Sequence, residues 1–129
     1  MIGFNSFKKI EDFLSGNKID AARKEFKKLQ QQEDKKIFQD PNYLFLRGKL
    51  AFMDRLYYLA IDTILIALNF TKEEKFYNFL GDIYYEIGNV ELSKNLKDKL
   101  KQEQTLNNLK KILSGIPDEN DIKKSNKIE

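Results

Sequence analysis

The sequence predicts an all-α chain of paired helices, and three observations predict it. Apolar residues recur at steps of three and four along the chain, and no stretch alternates apolar with polar residues long enough for a strand. Cap and turn residues cut this pattern into segments of ordinary helix length. Small residues then recur at one interval: Gly48 and Gly81 are 33 residues apart, and so are Ala60 and Ser93. A fixed interval laid over paired helices marks a repeat architecture.

The first helix is expected over about residues 5–14, stopped by the turn signal Ser15-Gly16-Asn17. The second carries Ile19, Ala22, Phe26 and Leu29 on one face, and "KKLQQQEDKKIFQ" then extends it or frays. Asp40-Pro41 opens the third, because Asp caps free amides and Pro suits the first helical position. That helix runs to about Met53, and a fourth fills 57–69. Thr71-Lys72-Glu73-Glu74 reads as a capping box for a fifth helix, which Gly88-Asn89 breaks after Ile87. A sixth starts near Val90, and Gly115 and Pro117 stop the last helical segment. The expected organisation is one domain over 1–115, with units at about 4–35, 41–70 and 72–101, a C-terminal helix to 114, and a disordered tail over 116–129.

Gly81 interrupts the good helix "YNFLGDIYYEIG", where glycine costs about 1 kcal/mol relative to alanine. The run Tyr77-x2-Leu80-Gly81-x2-Tyr84, with Ser93 nine residues later, resembles the tetratricopeptide repeat. Ala22-x3-Phe26 and Ala60-x3-Ile64 resemble its second-helix signature. The middle unit holds Arg47 and Ala51 where that pattern asks for Leu and Tyr, the third holds Lys97 in place of an apolar residue, and the first has Ile10 at the small position. The resemblance implies a right-handed solenoid of helical hairpins, TPR-like, with a C-terminal capping helix. Gly81 and Gly48 are then the close crossings inside two hairpins, Gly48 against Ala60.

The resemblance also implies a non-catalytic scaffold whose concave groove holds a helix or peptide of another protein. Its inward positions fall on Phe4, Phe7, Glu11 and Leu14, on Asn42, Phe45, Lys49, Phe52 and Met53, and on Lys75, Asn78, Asp82, Tyr85 and Glu86. The groove is expected to be apolar at one end and polar at the other. Phe7, Glu11, Leu46 and Phe79 stand where a clamp for a C-terminal carboxylate would need Lys, Asn or Arg, so such a clamp is not expected. An adaptor, an assembly factor or a small chaperone of the bacterial secretion type fits this reading. A bare apolar groove calls for a cover: a partner helix, a second copy in a homodimer, or the chain's own C-terminus. Leu92, Leu96 and Leu100 share one face, while Leu106, Leu109, Ile112 and Leu113 form a stripe turned roughly 130° away. The last helix therefore bends near Gln104-Thr105 and caps the fold, or runs straight and offers a self-association face.

Composition narrows the chemistry. With 41% hydrophobic and 33% charged residues, the 129-residue chain can build one modest core. Its charge of +3 comes from 23 cations mixed among 20 anions, which argues against a nucleic-acid stripe. The chain has no Cys, no His and no Trp, which removes thiolate nucleophiles, imidazole bases and the metal sites built on either. Glu73-Glu74, Asp118-Glu119 and Asp121 read as solvated acids of a cap and a tail. No enzyme activity, catalytic residue, metal, cofactor or small-molecule substrate is expected. "MIGFNSFKKIEDF" lacks the apolar core of a secretory signal. "LYYLAIDTILIALNF" is short of the roughly 20 residues of a membrane span and reads as a buried central helix. The expected setting is cytoplasmic, away from membranes.

Overall fold

Short amphipathic segments divided by polar turns have one way to bury their apolar faces, against the helices next to them in the chain. The computed structural model describes residues 2–32 and 35–114, and the side chains of 6–31 and 35–112 within them. Among the described residues it contains seven α-helices, one 3₁₀ turn and no strand: α1 (Ile2–Ser15), α2 (Ile19–Gln32), the 3₁₀ turn Lys35–Gln39, α3 (Pro41–Met53), α4 (Tyr57–Ala67), α5 (Glu74–Glu86), α6 (Val90–Lys97) and α7 (Gln102–Ser114). The strongest contacts join α1 to α2, α3 to α4 and α5 to α6, so the helices form three hairpins. Gly115, Pro117 and the tail expected over 116–129 lie outside the described residues.

The three hairpins close by the same turn. Asn17, Arg55 and Gly88 adopt φ of 58°, 63° and 95°. The next residue in each case donates its amide to a carbonyl five positions back: Lys18 to Phe13 at 2.7 Å, Leu56 to Ala51 at 2.8 Å and Asn89 to Tyr84 at 2.9 Å. This left-handed closure uses up carbonyls that a helix end leaves free. Five residues beyond each left-handed residue stands a small buried side chain, Ala22, Ala60 or Ser93, where the second helix meets the first.

The helix-interior glycines lie seven residues before two of these turns, and both are buried. A Cβ on Gly81 would stand 3.1 Å from the Ser93 carbonyl oxygen and 3.1 Å from Cγ and Cε of Lys97. The Lys97 stem thus covers the glycine while its ammonium pairs with Asp82 at 2.5 Å, which shows how a lysine serves at an apolar contact position. At Gly48 the nearest atoms come from Ile64 of the same partner helix and from Phe79: a Cβ would meet Ile64 Cδ1 at 2.7 Å and Phe79 Cε2 at 3.3 Å. Ile64 lies one turn beyond Ala60, and its methyl fills the notch that the missing side chain leaves.

Asp40 caps α3 as its sequence implies, accepting from the Asn42 amide at 2.8 Å. The Thr71 capping box does not form. Helix α5 begins at Glu74 with Glu73 at the cap position and no side-chain cap bond. Thr71 Oγ1 accepts from the Glu73 amide at 3.2 Å instead, while Lys72 reaches back to the Leu68 carbonyl at 3.1 Å and holds this segment against the end of α4.

The last helix breaks earlier than expected, between α6 and α7 at residues 98–101. Asp98 takes an extended conformation, and its carboxylate accepts from the Leu100 amide at 2.9 Å. That local bond competes with helix continuation. Leu100 consequently leaves the Leu92–Leu96 face and stands 95% exposed, whereas Leu106 and Leu109 are buried. The second apolar stripe is therefore used within the chain at those two positions; the Leu113 side chain lies outside the described residues.

Burial raises the Tyr77 and Tyr84 phenols above the ordinary 10.0, helped by the charges of Glu103 and of Asp62 respectively, with Tyr58 a further contributor at Tyr84. Their neutral forms favour the fold, so their contribution is complete below pH 10.0 and declines as pH rises through the raised values. Lys110, pushed down by burial and by Lys72, acts in the opposite sense and offsets part of the decline. Urea midpoints are expected to fall as pH climbs past 10.0, and Tyr84→Phe should flatten that fall. A midpoint independent of pH there would show the phenols to be solvated.

Candidate functional site

Helix α3 presents two opposite faces, one lined by Phe45, Lys49 and Phe52 and the other by Arg47, Leu50 and Asp54. On the first face, a cleft of about 280 Å³ lies between Phe7, Lys8, Asn42, Phe45 and Lys75. A second, of about 290 Å³, lies between Leu14, Phe52, Met53, Phe79 and Asp82. Glu11, Leu46 and Lys49 line both, so the two are one groove across α1, α3 and α5.

The Phe45 ring carries the ammonium groups of Lys49 and Lys75, each 5.0 Å from its centroid. Cations over aromatic faces are held without losing access to water. Beneath them Phe45 meets Phe76 and Phe79 edge to face at 5.0 and 5.3 Å, and Phe52 meets Phe79 at 5.7 Å. Of the expected groove residues, Phe7, Leu14, Phe45, Lys49, Phe52, Met53 and Asp82 come together here, with Glu11, Asn42 and Lys75. Asn78 is half-buried on α5 and lines neither cleft, and Tyr85 stands 61% exposed beyond the groove's end. Phe4 lies on α1 with its side chain outside the described residues.

The groove's apolar side chains are partly covered by the core. Leu14 is buried in the core, and Phe7, Phe45, Phe52 and Met53 are half-covered by neighbouring residues. Lys8, Lys49, Lys75, Glu11 and Asp82 supply the groove's charges.

The uncovered apolar surface lies on the other side. Helix α4 is not buried all round: Leu59 and Ile66 on it, Leu56 at its N-cap and Phe70 in the turn after it are about half exposed, and Tyr58 is 75% exposed. Beside them is a cleft of about 300 Å³ between α2, α3 and α4, lined by Arg23, Phe26, Lys27, Arg47 and Leu59 among others. The signal for this surface was present in "LYYLAIDTILIALNF": a helix apolar on every side needs neighbours on every side. Only the three-dimensional arrangement shows that one side has no neighbour among the described residues.

Glu73 and Glu74 are exposed and lie 3.9 Å from Lys75 and 3.7 Å from Lys99, as solvated acids do. No group of three or more metal-ligating side chains occurs among the described residues. No helix among them is long and apolar enough to cross a membrane. Comparison with protein-family models, with curated proteins and with solved structures finds no match to this chain.

Proposed function

We propose that this chain is a non-catalytic interaction module, a short TPR-like array that holds a segment of another protein along α1, α3 and α5. The observation that carries the reading is the continuous groove joined at Glu11, Leu46 and Lys49, in which cations ride on half-buried aromatic rings. The three like turns support equivalence of the hairpins. Such a floor offers apolar contact at little further ordering cost, while Lys8, Lys49 and Lys75 select carboxylate-bearing segments. In a cell this amounts to an adaptor, an assembly factor or a small chaperone.

The aromatic rings also support the core, so the clean test is on the lysines. Lys49→Glu combined with Lys75→Glu should eliminate proteins captured by the wild-type chain from native lysate, with the far-ultraviolet circular dichroism unchanged. An identical captured set from wild type and variant would reject the groove.

A further inference from the structure

We infer that the outer face of α4 and the cleft between α2 and α4 form a second docking surface, whose occupant is a partner's amphipathic helix bearing carboxylates at the end that reaches Arg47. Leu59, Thr63 and Ile66 share one face of α4, with Leu56 at its N-cap and Phe70 in the turn that follows it. The helical part of this stripe, Leu59 to Ile66, is about 10 Å long at a rise of about 1.5 Å per residue, and Leu56 and Phe70 flank it at either end. Its four large side chains are each 47–52% exposed. Together they offer on the order of 400 Å² of apolar surface, as much as a typical monomer leaves in its largest patch.

At the Leu56–Leu59 end the stripe enters the cleft of about 300 Å³. The floor there includes Phe26 and Leu50, and the rim carries Arg23, Lys27 and Arg47. Arg23 is taken up by Asp54 and by Asp20, the latter at 3.1 Å. No carboxylate among the described residues pairs with Lys27 or Arg47, and Arg47 rests on the Phe26 ring, 5.2 Å from its centroid. Two cations without carboxylate partners beside an apolar seam ask for an apolar helix that ends in acids.

A second copy paired through α4 does not supply one. Between Leu56 and Phe70 the only charged residue is Asp62. Two α4 helices paired about Thr63 would bring Asp62 towards Asp62. An antiparallel copy would deliver Lys72 to the cationic rim, and a parallel copy would set the two rims together.

The test uses the full chain and a synthetic helical peptide of about 20 residues, with Leu at the 3-4 spacing and glutamates in both terminal turns. Fluorescence anisotropy should show saturable binding, and a matched peptide with lysines for glutamates should fail to bind. Leu59→Glu with Ile66→Glu, and separately Lys27→Glu with Arg47→Glu, should each weaken the acidic peptide at least about tenfold. Lys94→Glu on α6 should leave it unchanged. Because Arg47 touches Phe26, Lys27→Glu alone, at an exposed residue, provides a variant that keeps the fold. Four outcomes overturn the proposal: no binding of the acidic peptide, equal binding of both peptides, binding lost on Lys49→Glu but kept on Lys27→Glu with Arg47→Glu, or a wild-type dimer by light scattering that Leu59→Glu dissociates. The third would place the peptide in the α1–α3–α5 groove, so the two surfaces are judged separately.

Discussion

Phe76→Ala is expected to lower unfolding stability by about 4 kcal/mol, the middle of the range for a fully enclosed phenylalanine. Phe76 is 0% exposed in the first turn of α5, and its ring meets Phe45 of α3 at 5.0 Å. The side chain therefore links two hairpins, and its loss leaves a void that neither helix can close without moving the other. For a domain with a total stability of about 5–15 kcal/mol, that loss is a large share. Phe38→Ala makes the comparison, since Phe38 is 42% exposed and touches Tyr43 at only one edge. It should cost under about 1 kcal/mol. Chemical denaturation of both variants checks the pair, and equal losses would show that Phe76 is not enclosed.

Gly48→Val is expected to cost about 3 kcal/mol, against the trend for a helix interior. Most residues gain on glycine there, alanine by about 1 kcal/mol. Here the new Cβ would lie 2.7 Å from Ile64 Cδ1 and 3.3 Å from Phe79 Cε2. Ile64 is 0% and Phe79 8% exposed, so neither has free space to retreat into. Overpacking of this kind costs about 1–3 kcal/mol, and valine's second branch brings it to the upper end. Gly16→Ala supplies the opposite sign. Its Cβ would make ordinary contacts at 3.5 Å and beyond, so it should stabilise by about 0.5 kcal/mol. Thermal melts of Gly48→Val and Gly16→Ala that shift in the same direction would contradict this account.

These variants also show which features were legible beforehand. Helices and most of their ends follow from local chemistry: Asp40-Pro41 caps α3, and Gly88-Asn89 ends α5 and opens α6. The glycine interval identified two close crossings because a missing Cβ is visible in sequence. The atom filling the notch at Gly48 was not, since it depends on how far α4 slides along α3. Arg55 gave no turn signal: a left-handed arginine costs about 1–2 kcal/mol locally, and the surrounding hairpin imposes it. The break at Asp98 arises from one side-chain bond competing with one helical turn. For the groove, the sequence placed Phe45, Lys49, Phe52 and Asp82 in the same depression, but not the burial of Leu14. The outer face of α4 escaped because apolar content alone does not say which neighbours are missing.

The turns at Asn17, Arg55 and Gly88 also govern how quickly the chain reaches this arrangement. Each joins two helices through a short reversal, so most native contacts link positions close in sequence and little loop-closure entropy is lost before they form. Helical chains with this economy of wiring fold in microseconds to milliseconds.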